Sequence, residues 1–512
     1  MKISFAILLL LCGLASVAPG QKVTVSEPIS IRNDIAFDLI GDLRGQFLLF
    51  REQVDGFEVQ GFDEQMKLSW SKEIDFQRRR PQIMSVVGND DHFFVTFTHK
   101  ESGTTLLRTH CFDPGANLVD TINITDLGSA YFNIPLRSLL SEDKNILVIY
   151  RILRQKEIHA MAVNLRERRV LWETLFAPED MVLQRDYSYF LVDNSGNLFF
   201  ILEKENRKAK AILHYLEFYE FGPRTDTTLH RFLVPLEGRM TYDVKFSFDN
   251  LNERLIGGGL YSEDNLQRTE GTYFLSIPPR TPDKYLLAFD PFEDQFVAAF
   301  LGKDFSSKNK GISETDVQEI VHRQDGGILL IAERNRALER RTGMARTSYD
   351  RLTGRFIVDY YYDDLFVASI HPNGKTHWRN ILHKRQYSQD DDAAYSSYFL
   401  LKTPYNLRLL FNDEIKYENT VSEYVIQGNG HFDRNAVMST ENQKLRLRFT
   451  DAIQVASNAL IVPSERRNRL RLVRLNYEKR QAFHSEFCIL QLKLPCNSSL
   501  PSNWKPYSPV LN

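Results

Sequence analysis

The feature that most constrains the fold is a recurring phrase in which a turn leads into a short strand carrying tryptophan. It occurs around Trp70, Trp172 and Trp378. The first two tryptophans are 102 residues apart and the last two are 206 apart. These gaps are close to two and four copies of a unit of about 51 residues, and units of this size with several strands each are typical of propeller blades. The phrase therefore predicts a β-propeller.

Strand-like runs separated by Gly, Pro, Asn and Asp turns continue along the chain and group into seven or eight units. We predict an all-β propeller with seven blades, because one unit is irregular, and keep eight blades as the alternative. Residues 23–31 alternate like a strand and precede the first unit. We expect them to pair with the C-terminal strands and close the ring. The predicted propeller covers residues 21–480, and residues 481–512 form a tail packed on it.

Composition narrows the classes of partner. Hydrophobic residues make up 43% of the chain and aromatic residues 12%, which is enough for a large β-rich core. The net charge of −2 and the pI near 6.7 give no basic footprint for nucleic acid. We therefore expect no nucleic-acid partner.

The first twenty residues have the pattern of a signal peptide. Lys2 supplies the positive charge, residues 5–14 the apolar run, and residues 18–20 the small residues before a cleavage site. The run is too short to span a bilayer, and no later segment is long enough. Cys12 lacks the small preceding residue that lipidation needs. We predict a secreted, periplasmic or cell-surface protein without a membrane span.

Two cysteines near the C-terminus lie on either side of a short apolar stretch. Cys488 and Cys496 could form a disulfide that closes the tail, and three unbridged thiols, counting Cys111, are the alternative.

The familiar catalytic motifs are missing from the sequence, which contains no zinc-binding His-Glu-x-x-His, no nucleophile elbow and no P-loop. Polar and aromatic residues instead crowd between residues 360 and 412. We assign no catalytic residue and predict ligand binding by Glu333, Lys384, Arg385, Gln386, Tyr387, Tyr398, Asn412 and Asp413.

These residues have different predicted roles. Glu333 ends an apolar strand, so it either points into the central channel or lies at its rim, or it is an ordinary charge at the end of a strand. The segment from Lys384 to Tyr387 would present donors to a carboxylate or sulfate, with Tyr387 and Tyr398 as stacking surfaces for a sugar or peptide. The plain alternative is a solvated loop between blades.

Two further segments have a structural and a functional interpretation. The run from Asp390 to Asp392 could supply oxygen ligands to Ca²⁺ from a loop, or be merely solvated. No other cofactor is indicated. Residues 334–355 are basic and interrupt the sixth unit, so they form either an exposed hairpin tip or a partner-binding loop.

The segments at 360–367, 378–386, 395–398 and 411–413 resemble those of secreted, uncharacterised β-propeller-like proteins of Bacteroidota-type bacteria. The resemblance covers residues 245–480 best. It implies an exported propeller and no particular reaction, so it assigns no residue a role.

We therefore expect an exported, non-enzymatic binding or scaffold propeller that recognises a protein, peptide or glycan at the cell envelope. The alternative is a propeller hydrolase or lyase acting on polysaccharide or peptide. That enzyme would use channel carboxylates such as Glu333 and Asp413 with Lys384 or Tyr387. Because propellers host both kinds of function, the fold alone does not choose between them.

Overall fold

The fold is taken from a computed structural model. It describes residues 21–76, 81–129, 134–179, 181–182, 186, 188–207, 213–302, 311–341, 356–413, 415, 420–440 and 445–477. The predicted signal peptide, the C-terminal tail and the Cys488–Cys496 pair lie outside the described residues.

The described chain forms eight antiparallel sheets, which are the blades of a propeller. Blades 1 to 4 each have four strands in chain order. Blade 1 contains β3 Asp34–Leu43, β4 Gln46–Gln53, β5 Phe57–Phe62 and β6 Leu68–Ile74, and blade 2 contains β7 Gln82–Gly88, β8 Phe93–Glu101, β9 Thr104–Phe112 and β10 Leu118–Asp126. Blade 3 contains β11 Arg137–Leu140, β12 Ile146–Leu153, β13 Glu157–Asn164 and β14 Arg169–Phe176, and blade 4 contains β15 Ser188–Val192, β16 Leu198–Lys204, β17 Tyr215–Phe221 and β18 His230–Pro235.

Blades 5 to 7 continue the same order. Blade 5 contains β19 Met240–Asp249, β20 Arg254–Ser262, β21 Gly271–Ile277 and β22 Leu286–Pro291. Blade 6 contains β23 Thr315–His322, β24 Ile328–Arg341, β25 Phe356–Ile370 and β26 Thr376–Leu382, with β27 Gln386–Gln389 paired to β25. Blade 7 contains β28 Phe399–Lys402, β29 Asn406–Asn412, β30 Thr420–Gln427 and β31 Phe432–Ser439. Helix α1 (Asp294–Leu301) links blades 5 and 6, and short 3₁₀ helices lie at Pro223–Thr225, Pro282–Lys284 and Phe449–Asp451.

Blade 8 combines both ends of the described chain. Its first three strands are β32 Ile453–Ala456, β33 Ala459–Arg466 and β34 Arg469–Tyr477, and its fourth is β1 Gln21–Val25, with β2 Ile29–Ser30 also on β34. The predicted closure by the N-terminal strand is confirmed. The preference for seven blades is wrong and the eight-blade alternative is confirmed. The sequence unit of the eighth blade holds only three of its four strands, because the fourth comes from the other end of the chain.

The three tryptophans occupy equivalent positions, as the repeated phrase predicts. Trp70, Trp172 and Trp378 lie on fourth strands, and each sits beside a register shift against the third strand. The indoles of Trp172 and Trp378 donate to backbone oxygens of the next blade. Three blades, not four, separate these two tryptophans, because α1 and the extended strands β24 and β25 lengthen the intervening units.

The core consists of eight apolar clusters, and each cluster lies between two neighbouring blades. The second and third strands are covered on both faces and therefore read as continuous apolar runs, as in β16, where every residue is buried. In β20, Gly258 and Gly259 allow close packing, since a Cβ on Gly259 would lie 2.4 Å from the Tyr273 ring. The complete ring of interfaces leaves no gap between blades 8 and 1.

The first strands of the blades surround the central channel. Most first strands contact the first strands of the neighbouring blades directly. On both sides of blade 7 the connection is made by Lys402, whose side chain pairs with Glu319 and whose backbone forms hydrogen bonds with the Gln454 side chain. The turns between first and second strands form one face of the disc. The turns between second and third strands form the other, which we call the arm face. The arm is the extension of β24 and β25 beyond the blade, at Asn335–Arg341 and Phe356–Tyr362, with β27 beside it.

Candidate functional site

A pocket of about 520 Å³ opens on the arm face between blades 6 and 7. We call it the rim pocket. Its described lining consists of Asp364, His383, Lys384, Arg385, Asp413, Thr420 and Arg434. Three of these, Lys384, Arg385 and Asp413, are sequence-predicted site residues. Asp364, His383, Thr420 and Arg434 were missed as site residues. They come from four different strands or connections, which only the packing of two blades brings together.

The segment that follows β26 shows why some of the predicted site residues line the pocket whereas others are buried between the blades. Its side chains alternate: His383 and Arg385 are exposed, whereas Lys384 and Gln386 are buried. Extended backbone places successive side chains on opposite faces. One face of this segment therefore meets the pocket, and the other enters the interface between the blades.

The Lys384 ammonium is enclosed in that interface, where it contacts three groups of the protein. Its Nζ lies 2.5 Å from Glu333 Oε1 and donates to Gln386 Oε1 at 2.8 Å and to the Tyr362 carbonyl at 3.1 Å. The Lys384 and Glu333 side chains are both 0% exposed. Two of the three donors of the ammonium make hydrogen bonds, and the contact with Glu333 pairs the two opposite charges.

The same network continues into blade 7. Ser397 donates to Glu333 Oε2 at 2.6 Å, and Gln386 Nε2 donates to the Asn412 carbonyl at 2.7 Å. Asn412 Nδ2 in turn donates to the carbonyls of Tyr395 and Leu447. Glu333, Lys384, Gln386 and Asn412 are thus brought together, but in an enclosed site where they neutralise and bond one another.

The expected position of Glu333 at the channel or its rim is wrong. Glu333 lies on β24, the second strand of blade 6, opposite Asp316 of β23 and Leu365 of β25. The sequence shows that a carboxylate ends an apolar strand, but it does not show which strand of the blade faces the channel.

The two tyrosines predicted as stacking surfaces lie apart from the pocket. Tyr398 packs in the core between blades 6 and 7, and burial raises the pKa of its phenol well above the usual value. Tyr387 lies on β27 and donates to Asp359 at 2.7 Å, a hydrogen bond that raises the pKa of Tyr387. Its ring contacts Tyr361 with centroids 5.1 Å apart. Tyr387 therefore belongs to the arm, and Tyr398 is enclosed.

The described lining of the rim pocket contains one ion pair, one histidine–aspartate hydrogen bond and one cation without a partner among the described residues. His383 Nδ1 donates to Asp364 Oδ2 at 2.9 Å, and Arg434 donates to Asp413 Oδ1 at 2.6 Å. Within the described part of the chain, the Arg385 guanidinium makes no hydrogen bond or ion pair. An exposed guanidinium beside two fixed pairs is suited to bind an anionic group through two parallel hydrogen bonds.

The aspartates considered for Ca²⁺ bind the protein's own groups. Asp390 accepts from the Val358 amide at 2.9 Å, Asp391 from the Ala393 amide, and Asp392 from the Tyr360 hydroxyl. Among the described residues, no three His, Cys, Asp or Glu side chains are grouped so that they could hold a metal ion. Calcium binding at these aspartates stays a prediction.

Of the basic segment, residues 334–341 belong to strand β24 and lead into the arm, and residues 342–355 lie outside the described chain. Arg334 and Arg336 pair with Glu314 at 3.2 and 3.4 Å, and Arg340 pairs with Asp359. The arginines described here thus have carboxylate partners, which distinguishes them from Arg385.

A second group of buried acids lies on the arm face between blades 4 and 5. Glu203 accepts from Asn206 at 3.0 Å, and Asp243 accepts from the Val317 amide at 2.7 Å. Burial, reinforced for Glu203 by the Asp243 charge, raises the pKa of Glu203 to about 8, and burial raises the pKa of Asp243 to about 6. Burial has this effect because it disfavours the charged form of a carboxyl.

Comparison with known proteins adds only distant likenesses in fold. No family model and no curated protein sequence matches the chain. Among solved structures, the Dos1 propeller is similar with a TM-score of 0.41 and 9% identity over 92% of this chain and 98% of its own. Sqt1 of Saccharomyces cerevisiae has a TM-score of 0.41 and 9% identity, covering 90% of this chain and 100% of its own. Dipeptidyl peptidase 4 of Porphyromonas gingivalis has 0.42 and 9%, covering 85% and 56%.

At such low identity and TM-score these likenesses carry no argument about function. In the part of the chain that the structure describes, the helices are too short or too polar to cross a bilayer.

Proposed function

We propose that the protein is an exported, non-enzymatic binding or scaffold propeller. It recognises a protein, peptide or glycan through an anionic group bound at the rim pocket. The observation that carries this proposal is Arg385, an exposed guanidinium without a described partner in a pocket whose other described charges are paired.

The charges around Arg385 favour an anion. Asp364 and Asp413 are each engaged by a cationic or donating neighbour, and Lys384 is neutralised by Glu333. Among the described lining residues, Arg385 is thus the cation that has no carboxylate partner. A carboxylate or sulfate can accept two parallel bonds from guanidinium, which fixes its orientation as well as its position. The pair of flanking aspartates repels anions placed elsewhere in the pocket and so contributes selectivity.

The positions of the predicted catalytic groups favour binding over the hydrolase or lyase alternative. A general acid or base must come within hydrogen-bond reach of the substrate. Glu333 and Lys384 are enclosed and bonded to each other, and Asp413 is engaged by Arg434 and Ser422. An enzyme built on Glu333 and Lys384 would first have to break the interface between blades 6 and 7.

The cellular location is part of the proposal and rests on the sequence of residues 1–20. Their charged start, apolar run and small residues support export to the periplasm, the cell surface or the medium. The partners would then be molecules of the cell envelope.

The test is binding of the purified protein to glycan and peptide arrays that contain carboxylated and sulfated members with neutral counterparts. Charge-assisted hydrogen bonds are worth about 1.5–3 kcal/mol each, so Arg385→Gln should weaken binding of an anionic hit about 10- to 100-fold. Arg467→Gln is the matched control, because Arg467 is an exposed arginine at the β33–β34 turn of the same face, outside the pocket. Equal affinity of wild type and Arg385→Gln for every hit would refute the role of the rim pocket.

A further inference from the structure

The hydrogen bond between His383 and Asp364 joins an imidazole to a carboxylate in the lining of the rim pocket. Asp364 belongs to β25, and its Oδ1 also accepts from the Lys384 backbone amide at 3.1 Å. Its Oδ2 lies 2.9 Å from His383 Nδ1. The His383 side chain is 67% exposed and the Asp364 side chain 25% exposed. The imidazole is therefore held in position and still exchanges protons with solvent.

The Asp364 carboxylate determines which nitrogen of the neutral His383 ring carries the proton. An ionised carboxylate only accepts hydrogen bonds, so Nδ1 donates and Nε2 is an acceptor. No partner of Nε2 lies among the described residues. Protonation turns Nε2 into a donor and adds a positive charge. Because His383 and Arg385 are two residues apart on the same exposed face, roughly 6–7 Å separates their Cα atoms, and one anion can contact both.

The other ionisable groups around His383 are paired or uncharged. Arg434 donates to the His383 carbonyl at 3.3 Å and pairs with Asp413 at 2.6 Å. The ammonium of Lys384, the next residue, is neutralised inside the interface between the blades. Tyr424 donates to the same carbonyl at 2.6 Å, and burial raises the pKa of its phenol, so it is uncharged at neutral pH. These groups contribute little net charge to the pocket.

Two described lining residues keep a charge without an oppositely charged partner while His383 is neutral. One is Arg385, and the other is Asp364, whose described donors are then uncharged. The carboxylate repels an anion bound beside it, and an imidazolium 2.9 Å away offsets that repulsion. Imidazoles gain their charge as pH falls from 8 to 5. Over this range the described lining therefore changes from no net charge to one positive charge.

We propose that protonation of His383 strengthens anion binding at the rim pocket, so that the pocket holds its partner more tightly in mildly acidic surroundings. The imidazolium gives the anion a second donor beside Arg385, and the carboxylate of Asp364 no longer opposes binding. By linkage, the anion and the proton raise each other's affinity by the same factor. This inference rests on the proposed anion site and adds its regulation.

The experiment measures binding of galactose 6-sulfate at three pH values between about 5 and 8 by ligand-observed NMR titration of the whole purified protein, at constant ionic strength. A sulfate ester stays charged over this range, so the probe itself does not titrate, and galactose is its neutral counterpart. We expect an affinity about three- to tenfold higher at the lowest pH than at the highest. His383→Gln should keep the weaker affinity at every pH, and Arg385→Gln should lose binding at every pH.

His431→Gln is the matched control, because His431 is also an exposed histidine beside a carboxylate, 3.6 Å from Asp433. It lies in the turn between β30 and β31, outside the described lining of the pocket, and its variant should keep the wild-type pH dependence. Equal affinity at all pH values in wild type, or an unchanged pH dependence in His383→Gln, would overturn this inference and leave the anion site intact. Wild-type affinity in Arg385→Gln, or no binding by wild type at any pH, would refute the anion site and the inference together.

Discussion

Replacing Lys384 by methionine isolates the energetic role of the buried ion pair between blades 6 and 7. Methionine keeps the approximate length of the side chain and removes the three donors that reach Glu333, Gln386 and Tyr362. Glu333 would keep only the hydrogen bond from Ser397 in an enclosed site.

The expected cost is large because a charge is left without its partner. Breaking a buried ion pair by removing one member costs about 3–5 kcal/mol, whereas replacing both members by uncharged groups is often nearly neutral. Lys384→Met should therefore lower the free energy of unfolding by about 3–5 kcal/mol. The double variant Glu333→Gln/Lys384→Met should recover most of that loss. The resulting coupling energy should be within the 0.5–3 kcal/mol range seen for contacting residues, near its upper end.

The assay is equilibrium urea unfolding followed by tryptophan fluorescence, to which Trp378 contributes a reporter in the neighbouring strand β26. Lys375→Met is the matched control, because Lys375 is exposed in the β25–β26 turn of the same blade and should change stability by less than about 0.5 kcal/mol. A loss below about 1 kcal/mol for Lys384→Met, or a double variant less stable than both single variants, would refute the reasoning.

Three other perturbations have definite expected outcomes. Burial raises the pKa of Glu203 to about 8 and of Asp243 to about 6, so these two groups bind more protons in the folded protein than in the unfolded chain. Their contribution to the free energy of unfolding should fall as pH rises from about 5 to 8, and it opposes that of His214, whose pKa burial lowers to about 4. Glu203→Gln should flatten this fall above about pH 6, which urea unfolding at several pH values would measure. The same pH dependence in Glu203→Gln and wild type would contradict the prediction. Gly259→Ala should destabilise the protein by about 1–3 kcal/mol through overpacking against Tyr273, and an unchanged urea midpoint would contradict it. Deleting residues 21–25 removes the fourth strand of blade 8 and should lower the melting temperature; an unaltered value by calorimetry would show that β1 does not stabilise the closed ring.

The sequence predicts the fold mainly through the second and third strands of each blade. Runs such as those that become β20 and β21 are covered by neighbouring blades on both faces, so they remain continuously apolar and are easily recognised. The first strands are harder to recognise because they border the channel and carry mixed residues, as in β11, which is four residues long. The fourth strand of blade 7, Phe432–Ser439, is hard to recognise for a related reason: four of its eight residues are polar, and its outer face meets solvent.

The candidate site was only partly predictable because its members come together through packing between blades. The alternation that sends Lys384 inward and Arg385 outward follows from extended backbone, but the sequence does not show which set is enclosed. Glu333 and Lys384 are 51 residues apart, and their pairing depends on the register of β24 and β25. Arg434 enters the pocket from another blade, and no local pattern marks it.

The central claim is that the rim pocket binds an anionic partner without chemical change. The most direct measurement incubates the tightest anionic array hit with wild-type protein and follows the mass of the ligand over time, with Arg385→Gln in parallel. The account predicts that wild type retains a ligand of unchanged mass, while Arg385→Gln fails to retain it. Ligand cleaved or eliminated in proportion to added wild-type protein would contradict the claim.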